Sequence, residues 1–196
     1  MNALLIVDVQ NDFCPGGALA THDGFKAAQA IAQFITTHKS NYDLVLATKD
    51  WHIQPGDHFV KTGQAPDYVH TWPPHCQAEE YGAEFPDALA PFEPQFDEIF
   101  FKGQFAAAYS GFEGHTSTGT LLAPWLRERG VTCIDVCGIA TDYCVKATVM
   151  DGLKEGFSVR VLNGLLSAVD PTTGKQALED MEQAGATIYR VAGCAD

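Results

Sequence analysis

Three residues of this chain stand where they can move protons and attack a carbonyl. They are Cys144 in Gly138-Ile-Ala-Thr-Asp-Tyr-Cys144, Asp8 closing Leu4-Leu-Ile-Val-Asp8, and Lys102 closing Glu98-Ile-Phe-Phe-Lys102. A cysteine just inside a helix start meets unpaired backbone N–H groups and the positive end of the helix dipole, which favour a thiolate and, later, an oxyanion. Free cysteines are more often small buried hydrophobes, and on its own stretch Cys144 fits both readings equally. Asp8, at the carboxyl end of an apolar run, is a candidate acid/base group. Its alternative role, a cap, is weakened because residues 10–17 form a Gly/Pro loop with no helical period. A lysine after three apolar residues commonly snorkels outward; turned into a cleft beside Asp8 and Cys144, its charge favours carboxylate and thiolate alike.

A second set lies in the proline-broken stretch 50–97, too long a loop for a compact domain unless it is functional. Asp50-x-His52 in extended chain points both side chains to one face, and His58 and His75 supply two later imidazoles. Together they suit a divalent ion such as Zn, Fe or Mn, with positions left for water. Loop histidines are usually solvated or hydrogen-bonded, and His22, His38, His70 and His115 are read that way. Phe13, on the loop after Asp8, is either a wall for a flat substrate or a residue packing over the core.

Strands must end where these groups begin. Residues 4–7, 42–47, 98–102, 133–138, 158–162 and 187–191 read as six short strands, the first two and the fourth as buried parallel ones. Between them the pattern predicts helices over 25–38 (Phe25, Ala28, Ile31, Ala32 and Ile35 on one face), 120–129, 142–155 with Cys144 in its first turn, and 172–183. The alternation predicts an α/β fold, a six-stranded mostly parallel sheet with helices on both faces in three layers, as one domain over residues 1–196. Residues 103–115 form a loop able to close over a site.

Composition narrows the partners. With 12 basic against 25 acidic residues and a formal charge of -13, the chain lacks the basic face that nucleic acids or anionic membranes require. The 46% hydrophobic content is ample for one core. The apolar run near Met1 is far short of the roughly 18 residues of a membrane span and has no basic flank, so a cytoplasmic protein with its six cysteines reduced is expected.

Taken in order, Val7-Asp-Val-Gln-Asn-Asp-Phe13, Asp50-Trp-His52 with Pro55-Gly-Asp-His58, Trp72-Pro-Pro-His-Cys76, Phe101-Lys-Gly103, Tyr109-Ser-Gly-Phe-Glu-Gly114 and Gly138 to Cys144 closely resemble the nicotinamidase/pyrazinamidase branch of the isochorismatase-like cysteine hydrolases. The resemblance implies a Rossmann-like fold and an Asp8, Lys102, Cys144 triad. It implies one divalent metal, Zn before Fe or Mn, held by Asp50, His52, His58 and His75, with His58 the ligand that varies most among relatives. It further implies a cis peptide at Ile139–Ala140, an oxyanion hole from the Ala140 and Cys144 amides, and substrate contacts from Phe13, Trp72, Tyr109, Ile139 and Ala140. Tyr143 occupies a position that varies. The implied reaction is deamidation of nicotinamide to nicotinate, and of pyrazinamide to pyrazinoate, through a Cys144 thioester, in NAD salvage, by a monomer or small homo-oligomer. A metal-free relative acting on another amide would have no use for the loop histidines, and an inactive binding module none for an intact triad.

Overall fold

The computed structural model describes residues 1–191; the last five residues of the expected domain, Cys194 among them, lie outside these. Among the described residues the sheet has six strands: β1 (Asn2–Val7), β2 (Leu44–Asp50), β3 (Glu98–Lys102), β4 (Cys133–Ile139), β5 (Ser158–Ser167) and β6 (Thr187–Arg190). Their order is β3-β2-β1-β4-β5-β6, and each of the five pairings is parallel. The helices are α1 (Gly24–His38), α2 (Leu122–Glu128), α3 (Lys146–Lys154) and α4 (Pro171–Gln183).

Alternation along β1 divides the core in two, because successive side chains of a strand face opposite ways. Leu4 and Ile6 pack with Ala28, Ile31, Phe34 and Ile35 of α1, while Ala3, Leu5 and Val7 pack with Trp125 and Leu126 of α2, Val149 of α3 and Met181 of α4. The three layers are therefore one helix with irregular chain on one face and three helices on the other. Phe25 is exposed and Phe34 is buried in its place, so the apolar stripe of α1 sits slightly round from the expected one.

Two strands run further than their apolar runs. β2 continues through Thr48-Lys49-Asp50 because β3 pairs with it there, Asp50 beside Lys102. β5 reaches Ser167, with the register against β4 shifting between Val136 and Gly138. Gly138 is required at that bend: its φ is +122°, and an added Cβ would lie 2.1 Å from the Val7 carbonyl oxygen. The expected long helix after β4 divides into a π-helical turn, Thr141–Val145, and then α3. Single π turns of this kind concentrate at functional sites, and this one carries Cys144.

The described cysteines Cys14, Cys76, Cys133, Cys137 and Cys144 are all free. No helix among the described residues is long and apolar enough to cross a membrane.

Candidate active site

The carboxyl ends of β1, β2, β3 and β4 converge, as the switch point of an open parallel sheet does. Asp8 follows β1 directly, Asp50 and Lys102 are the last residues of β2 and β3, and Cys144 sits in the turn after β4. Lys102 is buried, not snorkelling. Its Nζ lies 2.9 Å from Asp8 Oδ2 and 2.9 Å from Asp50 Oδ1, donates to the Ala108 carbonyl at 3.1 Å, and stands 3.7 Å from Cys144 Sγ. Asp8 is turned in by a left-handed backbone, φ +47°, and its Oδ1 accepts a 2.6 Å hydrogen bond from the Thr48 hydroxyl.

Charge in this buried cluster is set by competition. Burial opposes the Lys102 ammonium, but Asp50 and then Asp8 outweigh it and hold it well above its ordinary value. Burial also opposes an ionised Asp50, yet Lys102 keeps that carboxyl well below the usual range. Asp8, with burial dominant, Lys102 pulling back and Asp50 pushing the same way as burial, is raised. Cys144 is raised too, by burial first, with Lys102 pulling it back and Asp8 and Asp50 adding to the rise. The resting site thus pairs a protonated lysine with an ionised Asp50 and keeps the thiol protonated beside a carboxyl of raised proton affinity.

The other oxygen of Asp50 faces histidines: Oδ2 is 3.4 Å from His52 Nε2 and 3.6 Å from His75 Nε2. His52 Nδ1 lies 2.6 Å from the Gly103 carbonyl and His75 Nδ1 2.8 Å from the Pro73 carbonyl. Carbonyls only accept, so both Nδ1 atoms carry the proton in the neutral rings and both Nε2 atoms present lone pairs. Those lone pairs face each other across 3.2 Å. Such a pair suits a proton shared between the rings or a metal cation held by both. His58 joins the cluster, with one ligating atom from each of the three rings within 4.8 Å of the others. Its Nδ1 is buried with no hydrogen-bond partner, and burial, with His52 and His75 beside it, pushes its pKa down to about 4, which leaves the ring neutral. Three imidazoles and a carboxylate fit a divalent metal of the zinc type, and carbonyl-anchored Nδ1–H groups are how such ligands are usually oriented.

A cavity of about 280 Å³ opens onto these groups. Its lining includes Cys144, Ala140, Asp50, His58 and His75, together with Phe13, Trp72, Tyr109 and Tyr143. Trp72 Nε1 donates to the Tyr109 hydroxyl at 3.1 Å, which joins the long loop to the loop after β3. Asp8 and Lys102 are wholly buried behind Cys144. The Ile139–Ala140 peptide is cis. Ile139 itself stays out of the cavity wall: its side chain is fully buried in the core under α1, because β4 alternation turns it to the same face as Cys137. Of the histidines set aside, His22 and His70 are exposed, His38 stacks on Phe34, and His115 lies against the Thr116 carbonyl.

An isochorismatase domain matches residues 2–193. The chain belongs to the isochorismatase family.

Within that family, the chain is 47% identical over 188 residues to a nicotinamidase/pyrazinamidase of Mycobacterium tuberculosis, with 96% of this chain and 98% of the relative covered. A pyrazinamidase of Pyrococcus horikoshii, solved in complex with zinc, is 37% identical with a TM-score of 0.79, covering 97% of this chain and 99% of its own. PnC1 from L. infantum, solved in complex with nicotinate, is 31% identical with a TM-score of 0.79, covering 97% and 92%.

This isochorismatase-family site also uses residues that motif reading passed over. Thr48 and Gln10 are fully buried polar side chains, and Gln10 pairs through its carboxamide with the Asp50 backbone, Nε2 to O at 2.7 Å and N to Oε1 at 2.9 Å. Their only sequence signal is a polar residue at or just past the end of an apolar strand. Thr148, one turn after the nucleophile candidate, accepts from Gly111 N at 2.8 Å and donates to the Cys144 carbonyl at 2.6 Å, fastening the 103–115 loop to the helix.

Proposed function

We propose that this chain is a single-domain, cytoplasmic cysteine amidohydrolase that deamidates nicotinamide to nicotinate and ammonia, and pyrazinamide to pyrazinoate. We assign the triad to Asp8, Lys102 and Cys144, the oxyanion hole to the Ala140 and Cys144 amides, the ring contacts to Phe13, Trp72, Tyr109 and Ala140, and one divalent ion, zinc first, to Asp50, His52, His58 and His75. The observation that carries this reading is Asp50, one oxygen on Lys102 and the other toward two histidines, so that nucleophile and metal donors share one pocket. Relatives named nicotinamidase or pyrazinamidase, solved with zinc in one case and nicotinate in another, support it.

The chemistry follows from the protonation states. Because the buried thiol rests protonated, Asp8 takes its proton as sulfur attacks the carboxamide carbon. Lys102 stays charged throughout and favours both the carboxylate and the nascent thiolate. The two amides receive the developing oxyanion, a contribution typically worth about 3 kcal/mol of barrier per donor. Protonated Asp8 then returns the proton to the departing nitrogen, ammonia leaves, and a thioester remains. Asp8, again a carboxylate, draws a proton from water as it attacks the thioester, and passes it to the released sulfur with departure of the acid. A bound divalent ion would supply a Lewis-acid anchor for the ring nitrogen, directly or through water, and so position the substrate.

The test is ammonia release from nicotinamide by metal-stripped and zinc-reconstituted protein. Turnover is expected in the reconstituted form and a large loss on stripping. No turnover in either form would overturn the amidase, and turnover indifferent to chelation would remove the positioning role of the metal. A finer test follows from Thr48. Only ionised Asp8 serves as the base, so kcat/KM rises with pH as Asp8 loses its proton. Thr48→Val removes a donor to that carboxylate, raises its proton affinity further, and is expected to move the acid limb to higher pH. An unmoved limb in the pH profile would take Thr48 out of this role.

A further inference from the structure

Beyond Asp8, the loop leaving β1 carries two side chains that touch neither cavity nor thiol yet reach the backbone behind two of the metal donors. The paired register of β1 and β2 ends at Ile6 beside Ala47, and the last backbone bond between the two chains runs from Asp8 N to the Thr48 carbonyl at 3.3 Å. Gln10 then takes the place of a strand residue: its carboxamide holds both the N–H and the carbonyl of Asp50, and its Nε2 also donates to the Ala83 carbonyl at 2.9 Å. Two residues on, Asp12 Oδ2 accepts from Cys76 N at 2.7 Å and Oδ1 from Ala18 N at 3.3 Å. Cys76 follows His75 directly and accepts from His52 N at 2.9 Å through its own carbonyl, so the Asp12 bond fixes the segment that joins the two imidazoles. The Asp12 carboxylate is walled in by Gly82, where an added Cβ would lie 2.1 Å from Oδ2.

Resting on the metal reading above, we propose that Gln10 and Asp12 are positioning residues of the metal cradle, Gln10 setting Asp50 and Asp12 setting His75 and His52 through the backbone at Cys76. Neither side chain is itself one of those donors, since both bond to backbone groups. Both decide whether the donors converge on one point. Partners of this outer kind are commonly worth about 10- to 100-fold in metal affinity. Gly82 offers an independent handle, since its backbone is not left-handed and alanine there acts chiefly by displacing the Asp12 carboxylate.

Zinc affinity of the full chain, measured by competition with a chromophoric chelator, tests this alongside thermal unfolding. Wild-type protein is expected to take up one zinc. Gln10→Ala, Asp12→Ala and Gly82→Ala are each expected to weaken that binding by about 10- to 100-fold. Asp12→Asn keeps an oxygen for Cys76 N and is expected to hold near the wild-type value. Arg160→Ala, which strips the buried Asp135 of its guanidinium partner early in β4 and β5, is expected to lower the unfolding temperature and leave zinc affinity unchanged. Folded Asp12→Ala and Gly82→Ala variants that bind zinc like the parent would overturn the proposal, as would an equal loss in Arg160→Ala. A wild-type protein that takes up no zinc would instead overturn the metal reading itself, and this inference with it.

Discussion

Cys144→Ala is expected to fold like the parent, still bind nicotinamide, and release ammonia at least about 10^4-fold more slowly. The size of the effect reflects how little the site retains without sulfur. Asp8 and Lys102 are wholly buried behind Cys144, so neither can reach the substrate carbon in its place. The proposed oxyanion donors would survive, since they are backbone groups, and so would the proposed metal donors, since they lie on the long loop and β2. The fold should tolerate the change because one buried sulfur is a small volume and the side chain is held by no disulfide. Ammonia release under saturating nicotinamide, with circular dichroism on the same sample, checks both halves. Turnover within a few-fold of the parent would identify another nucleophile.

Lys102→Met should damage stability as well as rate. The lysine stem is replaced by one of similar length, but two carboxylates, one wholly buried and one nearly so, lose the ammonium they share. Breaking a buried ion network from one side typically costs about 3–5 kcal/mol, because the remaining charges stay desolvated without compensation. The pH dependence has a definite sign. In the parent, Lys102 holds Asp50 well below its unfolded value, which contributes stability above the carboxylate range that is lost as pH falls. In the variant that depression is gone and Asp8, already raised, rises further; acids raised on folding cost stability as pH climbs through their folded values. The gap between parent and variant should therefore already be open near pH 4, since the Asp50 contribution is lost only at lower pH, and widen further toward neutrality as the raised carboxyls of the variant ionise. Urea unfolding of metal-stripped protein at the two pH values measures it, and equal midpoints for parent and variant at neutral pH would contradict the buried network.

Rate and stability depend on one cluster because the strand ends that carry the chemistry are also the centre of the sheet. β1 and β4 are its middle strands, and Asp8 and Cys144 leave from them. Cys144 is itself part of the buried core cluster, so its surroundings cannot loosen without opening that core. The buried Lys102 holds the site together and charges it at once.

From the amino-acid order alone, the alternation of short apolar runs with 3.6-residue periods determined an α/β sheet, and β3 runs over just the residues its pattern predicted. The polar residues closing those runs marked one end of the sheet as the place to look. What sequence left open was direction and partnership. Three apolar residues followed by lysine suit a snorkelling Lys102 as well as a buried one, and only the Asp50–Lys102 register between β2 and β3 turned it inward. Asp50 is a residue facing two ways, toward Lys102 and toward the histidines, which no local spacing encodes. Thr48 and Gln10 acquire their roles from chains 40 positions away. Periodicity is a local consequence of which face of an element meets the core, and so it can be read along the chain. Which strand lies beside which, and in what register, is set by closing the two halves of the core around β1, and that exists only once the whole sheet has formed.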